Sequence, residues 1–282
     1  MPVVNTNINS IVAQNATNKS DRSMTKTMEK LSTGFRINKS GDDAAGLAVS
    51  TKMTAQIRGT NQAARNISDA IALVQTADGA AKEISAIMQR MRELAVQGAT
   101  ETYSTNDLQL MDTEYQQLEA EIERIVDQTK WNKMSLFDGN GPNVATSSSA
   151  AFQIQVGSDN GQSMTVTVGN LTIDAGSLGD LSLAGVSTQT SASAAITAID
   201  NAFENLATIR ADYGSFMNRL GHSLNNAEVF SANMADANSR LLDTDYAKEM
   251  TEFAKAQIVR QAGMAMLSQA NAIPNQVLQL LQ

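Results

Sequence analysis

The sequence predicts a mainly α-helical protein: a long antiparallel helical bundle or coiled coil formed by both chain ends, with a small β-hairpin insert at its tip. Three observations lead there. A long heptad-patterned run lies in each half of the 282-residue chain, a stretch of period two lies between them, and a polar, weakly apolar segment closes each end. Neither heptad stripe can bury itself alone, so the stripes must meet each other or copies of themselves. A rod-like building block fits that pattern better than a globular enzyme.

The first long helix is expected from about Gln62 to Gln97. Its a positions are Ile67, Val74, Ala81, Met88 and Ala95, and its d positions are Ala70, Ala77, Ile84 and Met91. Leu73, Ile87 and Leu94 widen the stripe, and Gly98 stands where a C-cap glycine would. The run would be roughly 54 Å long at 1.5 Å per residue. A second helix opens at Ser104, with Asp107 three residues on as in a capping box. Leu108, Met111, Tyr115, Leu118, Ile122 and Ile125 carry it to about Gln128–Trp131.

The third helix, about Ala192 to Leu242, repeats Ile199, Leu206, Tyr213, Leu220, Ala227, Met234 and Leu241 every seven residues. Ile196, Phe203, Met217 and Leu224 fill its d positions, which Arg210, Ser231 and Asn238 interrupt. Gly214 and Gly221 each cost about 1 kcal/mol relative to Ala, so close helix approach or a bend is expected there. The core of the bundle is therefore assigned to Ile67, Val74, Ile84, Met88, Met91, Leu118, Ile122, Ile199, Phe203, Leu206, Tyr213 and Leu220. Chain order makes the first and third helices antiparallel legs, with both termini at one end.

Between them, Phe152, Ile154, Val156 and then Met164, Val166, Val168 alternate at period two around Asn160-Gly161, a hairpin turn signal. Leu171 and Ile173 extend the pattern. The organisation expected is terminal helices over 1–44 and 243–282, a long-helix bundle over 45–142 and 190–242, and a hairpin-and-loop insert over 143–189. The ends are the weak points. Asn5 to Thr33 offers only Ile8, Ile11 or Val12, Met24, Met28 and Leu31, and Tyr246 to Leu281 carries Pro274, which should kink or break a helix. Ordering a residue costs about 1–2 kcal/mol of backbone entropy, so isolated ends should stay largely disordered until neighbouring subunits cover them. Met28, Leu31, Met250, Phe253, Ile258, Leu267, Leu278 and Leu281 are assigned to that inner contact.

Composition narrows the function. Aromatics are 4% of the chain, too few for a thick globular core, and a formal charge of −8 argues against nucleic acid as a partner. No apolar run long enough to span a bilayer occurs, so membrane insertion is not expected. No Sec-type signal is visible in Met1–Ser20. The chain has no cysteine and one histidine, His222, which leaves little for a metal site; a helix-surface role is expected for it. Asp42-Asp43 could be an acid/base pair, but standing before an Ala-rich run it reads better as a helix start. Neither phosphate-binding glycine motif is present. No enzyme activity and no cofactor are expected. The 14 methionines fall mostly on the helix stripes, where an adaptable side chain fills gaps.

The stretch LSTGFRINKSGDDAAGLAVS, Leu31 to Ser50, resembles the N-terminal signature of bacterial flagellins. QRMRELAVQ, Gln89 to Gln97, and QANAIPNQVLQLL, Gln269 to Leu281, are similar to the same family. The likeness covers nearly the whole chain; Phe35 stands where many relatives carry a smaller aliphatic, Met91 replaces a commoner Val or Ile, and the large outer domains of many flagellins are missing. The resemblance implies a homopolymer: the structural subunit of the bacterial flagellar filament used for swimming, secreted through the flagellar type III channel to an extracellular position. It implies an export chaperone on the C-terminal helix, a filament cap and hook-filament junction proteins as partners. It also implies that Arg90, Leu94 and Glu114 match the segment that an animal Toll-like receptor recognises. Ser147, Ser148, Ser149 and Thr190 are possible O-glycosylation positions. The alternative within the same organelle is a hook-filament junction protein.

Overall fold

The computed structural model of the chain describes residues 6–137, 149–173, 178 and 185–279. Among these, five helices and two small antiparallel hairpins follow in the order α1 (Ile8–Thr33), α2 (Ala44–Gly98), α3 (Thr105–Gln128), β1 (Lys130–Trp131), β2 (Met134–Ser135), β3 (Ser149–Gln155), β4 (Ser163–Gly169), α4 (Gln189–Leu242) and α5 (Tyr246–Gln279). The chain divides into two compact units, Met1–Ala55 with Asn233–Gln282 and Gln56–Ala232. Both divisions fall inside the long helices α2 and α4. No helix among the described residues is long and apolar enough to cross a membrane.

In the Gln56–Ala232 unit the heptad stripes meet as their spacing requires. Ile67, Val74, Ile84, Met88, Met91, Ile122, Ile199, Leu206, Tyr213 and Leu220 are all buried, and Leu118 and Phe203 pack at the margin of the same core. The antiparallel sense of α2 and α4 is marked by Arg92 bonding Asp200, Arg210 bonding Asp78 and Ser231 bonding Asn61. All three residues that break the d stripe of α4 thus reach polar partners on α2. Asn238 does so within the other unit, donating to Thr54 Oγ1 at 3.3 Å. Polar residues at seam positions pin helix register at some expense of stability.

α3 starts as expected, with a full capping box between Ser104 and Asp107. α4 starts with a comparable exchange: Thr188 Oγ1 accepts the Ser191 N–H while Ser191 Oγ accepts the Thr188 N–H. The β3–β4 hairpin pairs Phe152 with Val166 and Ile154 with Met164, and Gly161 takes a positive φ of 86° in its turn. Its inward residues Phe152, Val166 and Val168 share the core of the helices.

Several expectations are corrected. α2 begins at Ala44, well before Gln62, because small residues such as Ala55 and Ala63 sustain a helix that an apolar count overlooks. Gly98 is the last helical residue and no left-handed cap; a Cβ there would lie 2.7 Å from Val186 Cγ1, so close packing requires the glycine. At Gly214 and Gly221 a Cβ would meet nothing within 4 Å, so neither marks a close helix approach. β4 ends at Gly169, and Leu171 and Ile173 are buried without extending the strand. α5 continues through Pro274 without a break. The β1–β2 hairpin was not foreseen; its central residues Asn132 and Lys133 both have positive φ, the signature of a type I′ turn.

Candidate assembly surface

Within the Met1–Ala55/Asn233–Gln282 unit, α1 and α5 form an antiparallel pair. Asn7 Nδ2 donates to Ala270 O at 2.8 Å, Ser20 Oγ to Ala256 O at 2.9 Å, and Lys30 Nζ to Glu249 Oε1 at 2.7 Å. The shielded positions of α1 include Ser10, Ala13, Thr17, Ser20, Met24, Thr27 and Leu31, spaced alternately by three and four. Those of α5 are Glu249, Phe253, Ala256, Arg260, Gly263, Leu267 and Ala270 in the same rhythm, with Ala272 beside them. That is a heptad seam, but one built largely of small and polar residues. A Cβ at Gly263 would sit 2.7 Å from Thr17 Oγ1, so the helices approach closely at that level.

The large apolar side chains lie elsewhere. Ile8, Ile11, Val12 and Met28 of α1 are exposed, as are Tyr246, Met250, Ile258, Val259, Met264, Met266 and Ile273 of α5. Ile258 and Met266 reach 66% and 64% exposure, values that belong to lysine rather than to core residues. Of the residues assigned to the inner contact, Leu31, Phe253 and Leu267 are half-buried in the seam, whereas Met28, Met250 and Ile258 face outward. For Leu278 only the backbone is described, and Leu281 lies outside the described residues.

The link from α1 to α2 is tied to the start of α5. Gly34 caps α1 in the left-handed conformation, its N–H donating to Lys30 O, and its own carbonyl accepts the Thr244 N–H. Arg36 N–H donates to Leu242 O, and Phe35 bridges to Asp243. Asp42 is paired with Lys26 at 2.7 Å and accepts the Asn38 and Lys39 N–H groups, which together hold its carboxyl below the usual carboxylate range. Asp43 Oδ1 accepts the Gly46 N–H and so starts α2. The acidic pair is a helix start and a loop clasp.

In the other unit, Arg90 Nη2 lies 2.7 Å from Glu114 Oε1 and its Nη1 3.2 Å from Glu93 Oε2, so α2 and α3 are linked by a surface ion pair. Those carboxylates raise the Arg90 guanidinium above its ordinary value. Leu94 does not join them on the surface; it is 2% exposed and belongs to the core. His222 is exposed on α4, and Thr190 is exposed in that helix's first turn. Ser147 and Ser148 lie outside the described residues, and only the backbone of Ser149 is described.

This chain is 45% identical over 257 residues to a flagellin of Halalkalibacterium halodurans, covering 91% of each protein. It belongs to the bacterial flagellin family. The family model for the flagellin N-terminal helical region matches residues 4–141, and that for the C-terminal helical region matches 196–281. A flagellar filament 33 kDa core protein of Treponema phagedenis is 38% identical over 288 residues, covering 99% of this chain and 100% of that one. A solved candidate flagellar hook-associated protein from Vibrio parahaemolyticus superposes with a TM-score of 0.51 over 72% of this chain and 97% of its own, at 15% identity, a likeness of fold alone. In this flagellin, sequence reading missed the α1–α5 seam because it counted apolar residues, and the seam is written in Ser, Thr, Ala and Gly at heptad spacing.

Proposed function

We infer that this flagellin is a structural subunit of the bacterial flagellar filament, and that α1 and α5 are the parts that polymerise it. The observation that carries the second statement is the inversion of the α1–α5 pair: small residues inside, large apolar residues outside. Buried residues on the two helices are confined to Ser20, Thr27, Ala256 and Ala270 among those described. That much burial falls far short of the about 1–2 kcal/mol per residue that ordering costs. Copies of the same chain supply the missing apolar surface, so the ends fold as they assemble. The hook-filament junction reading is not favoured, since relatives that match along nearly their whole length carry the names flagellin and filament core protein.

Electron microscopy of heat-dissociated subunits added to filament seeds tests this. Wild-type chains elongate the seeds, and a Met250→Asp/Ile258→Asp variant does not. Elongation by that variant at the wild-type rate would remove α5 from the assembly surface.

The finer parts of the reading rest on family likeness. The subunit is exported through the flagellar type III channel to an extracellular position, with a chaperone covering α5 before export. Growth takes place beneath a cap, from hook-filament junction proteins. Glycan attachment, where it occurs, uses Thr190 or the serines at 147–149; an intact-mass measurement without added hexose mass argues against it. For a host Toll-like receptor, the Arg90–Glu114 pair offers the accessible contact, with Leu94 supporting it from beneath. Receptor activation by an Arg90→Ala/Glu114→Ala monomer at wild-type level would exclude this surface.

A further inference from the structure

The methionines divide by helix. Met88 and Met91 of α2 are fully buried, and Met24, Met53, Met111, Met134, Met164, Met217 and Met234 are partly shielded. Every exposed methionine among the described residues lies on the α1–α5 pair: Met28 at 52%, Met250 at 55%, Met264 at 51% and Met266 at 64%. All four sit outside the heptad seam, on the parts of α1 and α5 that also expose Ile8, Ile258, Val259 and Ile273. Thioether oxidation follows accessibility, and it turns a flexible apolar side chain into a polar, chiral one that disrupts methionine-rich interfaces.

We propose that Met28, Met250, Met264 and Met266 form an oxidant-sensitive site that bars the free subunit from polymerising while they carry sulfoxide. The inference rests on the reading that the outward face of α1 and α5 is the assembly surface. The co-reactant is a peroxide. Its O–O bond breaks as an S–O bond forms; the sulfur loses two electrons, and hydrogen peroxide is reduced to water. A sulfoxide buried at an interface between copies needs a hydrogen-bond donor that an apolar contact does not provide. The lesion is reversible, because thiol-dependent methionine sulfoxide reductases return the thioether. Met88 and Met91 are screened by the core of the other unit, so that unit keeps its packing through the same exposure.

Partial oxidation followed by seeded growth tests the proposal on the wild-type chain. Free subunits are treated with hydrogen peroxide until the four positions are about half converted, then mixed with seeds, and pelleted filament is compared with supernatant by peptide mass mapping. Sulfoxide at the four positions is expected to be depleted from the newly grown filament at least about tenfold, the factor that 1.4 kcal/mol of lost contact gives. Equal sulfoxide content in filament and supernatant overturns the proposal, as does conversion of Met88 and Met91 at the same rate. A second arm replaces all four residues with leucine, a volume-conserving change, in a Met24→Leu background, because Met24 of the seam is open to peroxide until α1 and α5 pair. Its seeded growth should survive peroxide, and inhibition equal to wild type overturns the assignment to these residues. Failure of untreated wild-type chains to elongate seeds would instead refute the assembly reading itself.

Discussion

The α1–α5 pair and the Gln56–Ala232 bundle use the same heptad rhythm to opposite ends. In the bundle, Ile84, Met88, Ile122, Ile199 and Tyr213 point inward and are fully buried. In the pair, the inward positions are Ser10, Thr17, Ser20, Thr27 and Ala256, and Ile258 and Met266 point outward. Helical periodicity decides which residues share a face, and side-chain volume decides whether that face can hold a fold by itself. On the proposed reading, one unit persists alone and the other is completed by neighbours.

The sharpest way to break this contrast is amide exchange on free subunits. Protection of backbone hydrogens in α2, α3 and α4 should approach that of global unfolding, while α1 and α5 should exchange as nearly unprotected chain, a difference of several orders of magnitude. On assembly into filaments the gap should close. Strong protection within residues 8–33 of the free subunit would show that the small-residue seam suffices, and coupling of folding to assembly would have to be abandoned.

A smaller effect distinguishes the two seams by mutation. Ile84→Ala removes a fully buried side chain from the bundle and should lower the free subunit's stability by about 2–5 kcal/mol in denaturant unfolding. Ser20→Ala removes only the bond to Ala256 O, a carbonyl that the helix ladder already serves, and should leave that transition unmoved. Comparable shifts from the two substitutions would mean that α1 and α5 contribute to the free subunit as the bundle does.

How much of this could be read beforehand follows from the same contrast. Where large apolar residues recur every seven, as Ile199 through Leu241 do, α4 and its buried face were legible almost to the residue. Where the helix runs on alanine and polar residues, the signal weakened: α2 begins at Ala44, before its first strong heptad. The inner-contact residues divided for a related reason. Spacing of apolar residues alone could not tell Phe253, which meets α1, from Ile258, which faces away, because the partner stripe on α1 is polar. Leu94 belonged to both the bundle stripe and the matched receptor segment, and burial assigns it to the stripe. The β1–β2 hairpin turned on two positive φ values at Asn132 and Lys133, and only the asparagine carries a compositional hint.

The smallest effect probes the interior of the bundle, which the pair lacks. Tyr115 is fully buried on α3, its hydroxyl has no hydrogen-bond partner, and burial pushes its pKa well above the ordinary tyrosine value. Tyr213 on α4 is shifted in the same direction, first by burial. The unfolded chain releases these protons near pH 10, while the folded bundle retains them. Stability is therefore unaffected below pH 10 and falls as pH rises above it, at up to about 1.4 kcal/mol per pH unit for each tyrosine. Tyr115→Phe removes one titrating group and one unpaired hydroxyl without opening a cavity. At pH 7 it should change stability by no more than about 0.5 kcal/mol, in the stabilising direction if at all. Above pH 10 the loss due to the buried tyrosines should be about half as steep in the variant as in wild type, because of that pair only Tyr213 then contributes. Alkaline unfolding followed by circular dichroism measures both slopes. Equal slopes would place the Tyr115 hydroxyl in contact with solvent, and with it the part of α3 that closes the core.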